Sequence, residues 1–294
     1  MSTRDLLLAL VIVLMWGVNF IAMKHAVTEV PPFLLTALRF GLATVPAIFF
    51  IPRPAVTWRL LAAYGAAFGI VKFGLLFTAF RLGSPSGLTS VLLQTQAFFT
   101  VAFAAVVLGE IVTTSQRRGL VIAALGVAVI AAGATRDAAG GVTLLPVLLV
   151  IAAAAAWGLA NLALKSAGKV DMLGFTVWSS AVAPLPMLAL SWVFEGPAAW
   201  SQSWQQLTWT GVATVLYLAW PISLFTGWAW ANLLSRYAAA TLAPMALLVP
   251  IVAMSAGALV YGEGMTVMGV SGSLLVLLGL GIGVFRPAAA RNAA

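Results

Sequence analysis

The sequence predicts an all-α, polytopic membrane protein of ten transmembrane helices, arranged as a five-plus-five inverted-topology repeat. Three observations predict it. Of the 294 residues, 63% are hydrophobic and only 7% charged, whereas a soluble domain needs about 25% charged residues to wet its surface. The apolar residues fall into runs of about 20, the length that crosses a bilayer as a helix. Short signatures of the first half return, in order, in the second. The composition alone excludes a soluble enzyme, a disordered chain and a nucleic-acid-binding module.

Breakers bound the runs. The first, 5–23, is long enough to stay as a span rather than be cleaved as a signal. The second, 33–51, lies between Pro31-Pro32 and Pro52-Arg53-Pro54. The third, 60–80, stops before Gly83-Ser84-Pro85, and the fourth, 86–108, runs from there to Gly109-Glu110. The fifth, 116–134, and sixth, 143–164, are parted by Gly140-Gly141. The seventh, 172–194, ends at Gly196-Pro197, and the longest connection, Glu195 to Gln206, leads to the eighth, 207–231. The ninth, 239–260, stops at Gly262-Glu263-Gly264, and the tenth is 267–285. Runs this long, without alternation, are helices rather than barrel strands. No connection holds a soluble domain, so function must lie within the bundle.

The formal charge is +8, which reads as cytoplasmic loop charge rather than a nucleic-acid footprint. With the N-terminus inside, one side collects Arg4, Arg53, Arg59, Arg117, Arg118, Lys165, Lys169, Arg236, Arg286 and Arg291. The other collects only Lys24, Arg81 and Arg136, so both termini are expected to be cytoplasmic. Arg39 and Lys72 are left inside spans.

Trp16-Gly17 with Lys24 recurs as Trp157-Gly158 with Lys165, and Thr36 and Pro46 recur as Thr176 and Pro186. Gly109-Glu110 recurs as Gly262-Glu263, and Gly119 and Gly126 recur as Gly272 and Gly279. The halves are therefore 1–138 and 139–294. Five spans per half is odd, so the second half enters the membrane inverted, a design of secondary transporters with the substrate near the pseudo-two-fold axis.

Three stretches carry a family resemblance: Met15-Trp16-Gly17-Val18-Asn19-Phe20 with Lys24, Ala37-Leu38-Arg39-Phe40, and Gly87-Leu88-Thr89-Ser90 followed by Gln94-Thr95-Gln96-Ala97-Phe98-Phe99 and Gly109-Glu110. With the duplication, the whole chain resembles the EamA branch of the drug/metabolite transporter superfamily. Within it, the chain is similar to bacterial exporters of O-acetylserine and cysteine and, less closely, to YddG-type amino-acid exporters. The resemblance implies a bacterial inner-membrane exporter, monomer or homodimer, whose partners are a small-molecule substrate and the bilayer. Export of drugs or other metabolites is the rival reading within the class.

The residues narrow the chemistry. There is no Cys and one His, His25, so no metal site and no cofactor is expected. The acids Asp5, Glu29, Glu110, Asp137, Asp171, Glu195 and Glu263 all fall at span ends or in loops. No deep carboxylate is therefore available to cycle a proton, which argues against a proton-driven drug antiporter. A membrane enzyme acting on lipid would need a nucleophile, metal or acid–base pair, and a plain scaffold would not need buried polar residues.

The expected substrate-binding residues are Trp16, Asn19, Phe20, Lys72, Phe77, Ser90, Gln94, Trp157, Asn161, Trp220 and Pro244. Trp16, Asn19, Phe20 and Met23 share a helix face. Asn19, which can donate and accept, suits a zwitterion, and Asn161 is its approximate counterpart. Lys72 near the midplane needs a cavity or a partner and is read as a carboxylate contact. Phe73, Phe77 and Phe80 form a stripe that serves packing more readily than binding, and Arg39 reads as an anchor to a loop or helix end. Ser90 and Gln94 share a face; Gln96 lies roughly 200° away, so at most one glutamine faces the pathway. Pro221, Pro244 and Pro250 free backbone carbonyls, which membranes tolerate where they line a cavity. Gly119, Gly126 and Gly133, with Gly272, Gly279 and Gly283, predict a close packing face joining repeats or protomers.

Overall fold

The computed structural model describes residues 1–136, 143–168, 170–237, 242 and 245–284. Among the described residues all regular structure is helical. Seven helical stretches are long and apolar enough to cross a membrane, and three shorter apolar helices accompany them. In chain order they are α1 (Thr3–Glu29), α2 (Pro32–Ala47), α3 (Trp58–Arg81), α4 (Ser86–Leu108), α5 (Thr114–Arg136), α6 (Leu144–Ser166), α7 (Met172–Gln206), α8 (209–236), α9 (Val249–Tyr261) and α10 (Val267–Val284).

Local chemistry sets the ends. Ser2 caps α1: its Oγ accepts from the Asp5 amide at 3.2 Å and donates to Asp5 Oδ2 at 2.7 Å. The helix runs to Glu29, past the expected end at 23. Hydropathy marks what lipid covers; helical hydrogen bonding continues through Lys24 and His25 until Pro31-Pro32 forces the backbone extended. Conversely, α2 is shorter than the run 33–51, ending at Ala47 just after its internal Pro46. The N-terminus of α2 is capped from afar. Glu195 accepts from the Phe33 and Leu34 amides at 2.7 and 3.1 Å. The expected loop Glu195 to Gln206 is instead helical over Gly196–Gln206, entered through Gly196 at φ +79°.

Several helices are irregular at depth. The backbone of α3 is π-helical over Ala66–Lys72 and that of α8 over Leu218–Phe225, around Pro221. The helix α4 breaks at Gln94 and Thr95, and a matching break at Leu247 and Leu248 precedes α9. Both α4 and α9 end on a left-handed glycine, Gly109 (φ +68°) and Gly262 (φ +62°). In each case the following glutamate amide reaches back six residues, Glu110 to Ala104 O and Glu263 to Gly257 O.

Helices of the two halves interleave: α1 packs on α9, α4 on α6, α5 on α10, and α2 on α7 and α8. The α5 and α10 backbones approach closely along a glycine seam. A Cβ on Gly126 would lie 2.6 Å from Gly272 O, and one on Gly272 would lie 2.6 Å from Gly126 O. The glycine face thus joins the two halves of one chain. Elsewhere the core is aromatic and aliphatic, with Phe40, Phe77, Phe175, Ile12, Leu76 and Leu92 fully buried.

Candidate functional site

Two cations lie buried mid-bundle. Lys72 on α3 is 4% exposed and Arg39 on α2 is 3% exposed. Phe68 precedes Lys72 by four residues, one turn of α3, and Phe73 follows it, so the lysine lies between two rings of its own helix. The Lys72 Nζ lies 4.0 Å from the Phe68 ring centroid, 4.2 Å from Phe73 and 3.7 Å from Trp157 of α6. Arg39 stacks 4.1 Å from the same Phe73 ring. Its Nε donates to Ser223 Oγ of α8 at 3.2 Å, and one Nη contacts Met23 Sδ of α1 at 3.9 Å. Desolvated cation–π contacts are worth about 2 kcal/mol, well short of offsetting the burial of two like charges.

No carboxylate answers them among the described residues. Asp5 pairs with Arg236 and Tyr237. Glu29 holds Thr208, and Glu195 caps α2. Asp171 caps α7. Glu110 pairs with Lys165 and Glu263 with Lys24. Asp137 lies outside the described residues.

The expected site residues separate into two sets. Lys72 and Trp157 meet directly. Phe77 is fully buried and backs the cluster through Phe73, 5.6 Å between centroids. On α1, Trp16 donates to Thr226 Oγ1 at 2.8 Å and packs on Trp230, while Phe20 is core. Asn19 is 8% exposed, and its Oδ1 is buried with no hydrogen-bond partner among the described residues. It sits one turn from Met23, the residue that touches Arg39.

The others do not join the cluster. Ser90 Oγ donates to its own helix at Gly87 O. Gln94 donates to Ala246 O at 3.3 Å. Asn161 donates to Gln96 Oε1 at 2.6 Å and to Thr100 Oγ1 at 3.0 Å, so Gln96 bonds a neighbouring helix as well. Trp220 donates to Leu42 O and, with Leu173, Pro221, Leu224, Phe225 and Trp228, lines an open apolar groove of about 630 Å³. Pro244 lies outside the described residues.

Arg39 was legible only as an anchor. Its signal was the absence of any acid at its depth, the same signal that singles out Lys72. Phe68 carried a signal as well: it precedes Lys72 by four residues, the spacing that puts two side chains on one helix face.

Two lysine–glutamate pairs lie at opposite ends of α4. Lys24 of α1 meets Glu263 at 2.5 Å, the side chains 22% and 10% exposed. Glu263 also accepts from the Ser86 amide at 2.8 Å and from Ser86 Oγ at 3.2 Å, and so caps α4. Lys165 of α6 meets Glu110 at 2.5 Å, but these side chains are 50% and 43% exposed. The first pair is locked into the structure; the second is a solvent-facing ion pair worth at most about 1 kcal/mol.

An all-helical membrane bundle with ionisable groups held at its middle is the build of a membrane transporter. The comparisons agree: this chain belongs to the EamA-like transporter family, whose model matches residues 3–132 and 144–284. It is a transporter and not an enzyme. A relative from Salmonella typhimurium (strain LT2), named a probable amino-acid metabolite efflux pump, is 36% identical over 97% of this chain and 96% of its own. One of the same name from Escherichia coli (strain K12) is 35% identical over the same shares. A solved crystal structure, 18% identical, covers 100% of this chain and 99% of its own at a TM-score of 0.62, and shares the fold.

Proposed function

We propose that the protein exports small amino acids and related metabolites by alternating access across the bacterial inner membrane, both termini cytoplasmic. The observation that carries this reading is the uncompensated cluster: two buried basic groups with no carboxylate beside them among the described residues and, on α1, one turn from the Met23 that touches Arg39, an acceptor with no partner among those residues. A substrate carboxylate would meet Lys72 and Arg39, and a substrate ammonium would meet Asn19 Oδ1. Trp16, Trp157, Phe20 and Phe77 would shape the side-chain pocket. Ser90, Gln94, Asn161, Trp220 and Pro244 would line or support the pathway through the helices they bond or kink. The two efflux-pump relatives favour amino-acid metabolites over drugs.

The alternating-access part rests on a ten-span, five-plus-five inverted repeat, 1–138 and 139–294. It is supported by the paired breaks in α4 and before α9 and by the two lysine–glutamate pairs, here read as latches. The family match also falls into two segments. In this reading the more buried Lys24–Glu263 pair holds its end of the pathway shut, and the exposed Lys165–Glu110 pair opens first.

Counterflow in proteoliposomes tests the function. Unlabelled amino acids inside should drive uptake of labelled serine, threonine or cysteine. Absence of exchange for every amino acid, with lipophilic drugs exchanging instead, would replace the reading by drug export. The latch is tested by labelling, for which a chain with no native cysteine is convenient. A cysteine placed at buried Ser84 should react with a membrane-impermeant maleimide about tenfold faster in Glu263→Gln, because several hydrogen bonds to a buried charge are lost. Glu110→Gln should change that rate less than about twofold. Equal effects of the two substitutions would rule out unequal latches.

A further inference from the structure

The charge balance of the cluster narrows the substrate beyond amino-acid export, on which this inference rests. We infer that the site takes amino acids bearing a second carboxylate, glutamate- or aspartate-like anions, with one carboxylate on Lys72, the other on Arg39, and the ammonium on Asn19 Oδ1.

Three features carry it. The first is net charge. Lys72 and Arg39 are nearly fully buried, and what surrounds them is neutral: the rings of Phe68, Phe73 and Trp157, the Ser223 hydroxyl and the Met23 sulfur. The six described acids are all engaged elsewhere, at the helix ends. A zwitterion offers one carboxylate to two basic groups, so one of them would stay without an anion in the bound state. An acidic amino acid offers one to each, and buried charge is stable only when paired.

The second feature is that the two basic groups are neighbours with donors to spare. Arg39 Cζ and Lys72 Nζ lie 4.1 and 4.2 Å from the same ring centroid, that of Phe73. A guanidinium has five N–H donors, and the partners of Arg39 among the described residues use one Nε and one Nη. The remaining donors suit a bidentate carboxylate.

The third is the buried Asn19 Oδ1, which has no partner among the described residues. It is an acceptor, so it calls for a donor on the ligand, and an ammonium supplies one. Two carboxylates and one ammonium match two cations and one acceptor; a dicarboxylate without nitrogen leaves Asn19 unmet, and a neutral side chain leaves one cation unmet.

Glutamate and glutamine are the decisive pair, since they differ in charge at nearly constant size. In counterflow with the reconstituted full chain, glutamate should compete with its own labelled form at concentrations at least about tenfold lower than glutamine does. Arg39→Gln should weaken glutamate exchange at least about tenfold more than glutamine exchange, collapsing the discrimination, and Arg39→Lys should retain much of it. Glutamine exchanged as well as glutamate by the unaltered protein would overturn this inference and leave amino-acid export standing. Exchange of no amino acid would overturn both. The comparison within the unaltered protein needs no variant to fold.

Discussion

Lys72→Met is expected to abolish substrate exchange while the melting temperature stays level or rises. The two effects part because they have different physical origins. In the free protein the Lys72 amine is buried against ring faces, with no carboxylate beside it among the described residues, so replacing it with an apolar side chain of similar length removes a desolvation cost. In the bound state the same group pairs with a carboxylate. Removing one partner of a buried charge pair costs about 2–5 kcal/mol, or roughly thirty- to several-thousand-fold in affinity. Counterflow and a thermal unfolding curve on one preparation separate the two. A variant that still exchanges amino acids would remove Lys72 from the site. A fall in melting temperature by many degrees would make it a structural residue, its charge held in the free protein by contacts other than the rings.

Gly126→Leu should have the largest effect on folding. The α5 and α10 backbones approach so closely at Gly126 and Gly272 that any side chain meets the opposite carbonyl. A leucine would push the helices apart along the whole seam, which also includes Gly119, Gly279 and Gly283. Overpacking costs about 1–3 kcal/mol in cores with room to relax, and backbone on both sides leaves little here. A fall of about 10 °C in melting temperature is expected. Gly264→Ala is the control, since a Cβ there meets nothing within 4 Å. A leucine at 126 that left the unfolding curve in place would mean the seam is not what joins the halves.

The fold class was legible because it depends on composition and run length, which are local. Apolar runs must be helices in lipid, since only helices satisfy their own backbone there, and Pro and Gly punctuation placed most ends within a turn or two. The misplaced ends have physical causes. Helix α1 overran its apolar stretch because charged residues are good helix formers when water is near. Gly196–Gln206 folded as helix although its polar composition suggested a loop, because Pro197 near its start favours helix entry.

The site was half legible. Lys72 and Asn19 stood out because a cation or amide in an apolar run is costly wherever it lies. Trp157 was chosen as a symmetry mate of Trp16 and turned out to touch Lys72. Gln94, Gln96 and Asn161 were as visible as Asn19 and spend their hydrogen bonds on neighbouring helices. Whether an amide is satisfied is settled by the helix opposite, which the amino-acid order does not specify.

By itself, the sequence determined that this chain is a helical membrane protein and that two basic side chains, Arg39 and Lys72, fall within apolar runs that carry no acid at their depth. Only the tertiary structure decided that those two groups share one phenylalanine ring, that Trp157 of α6 covers Lys72, and that the Lys24–Glu263 pair is largely buried while the Lys165–Glu110 pair is exposed. The reason is range. Burial in lipid acts on each segment separately and leaves its mark in periodicity and composition. Pairing acts between segments far apart in the chain, and its outcome depends on helix positions that packing fixes to within a fraction of an ångström.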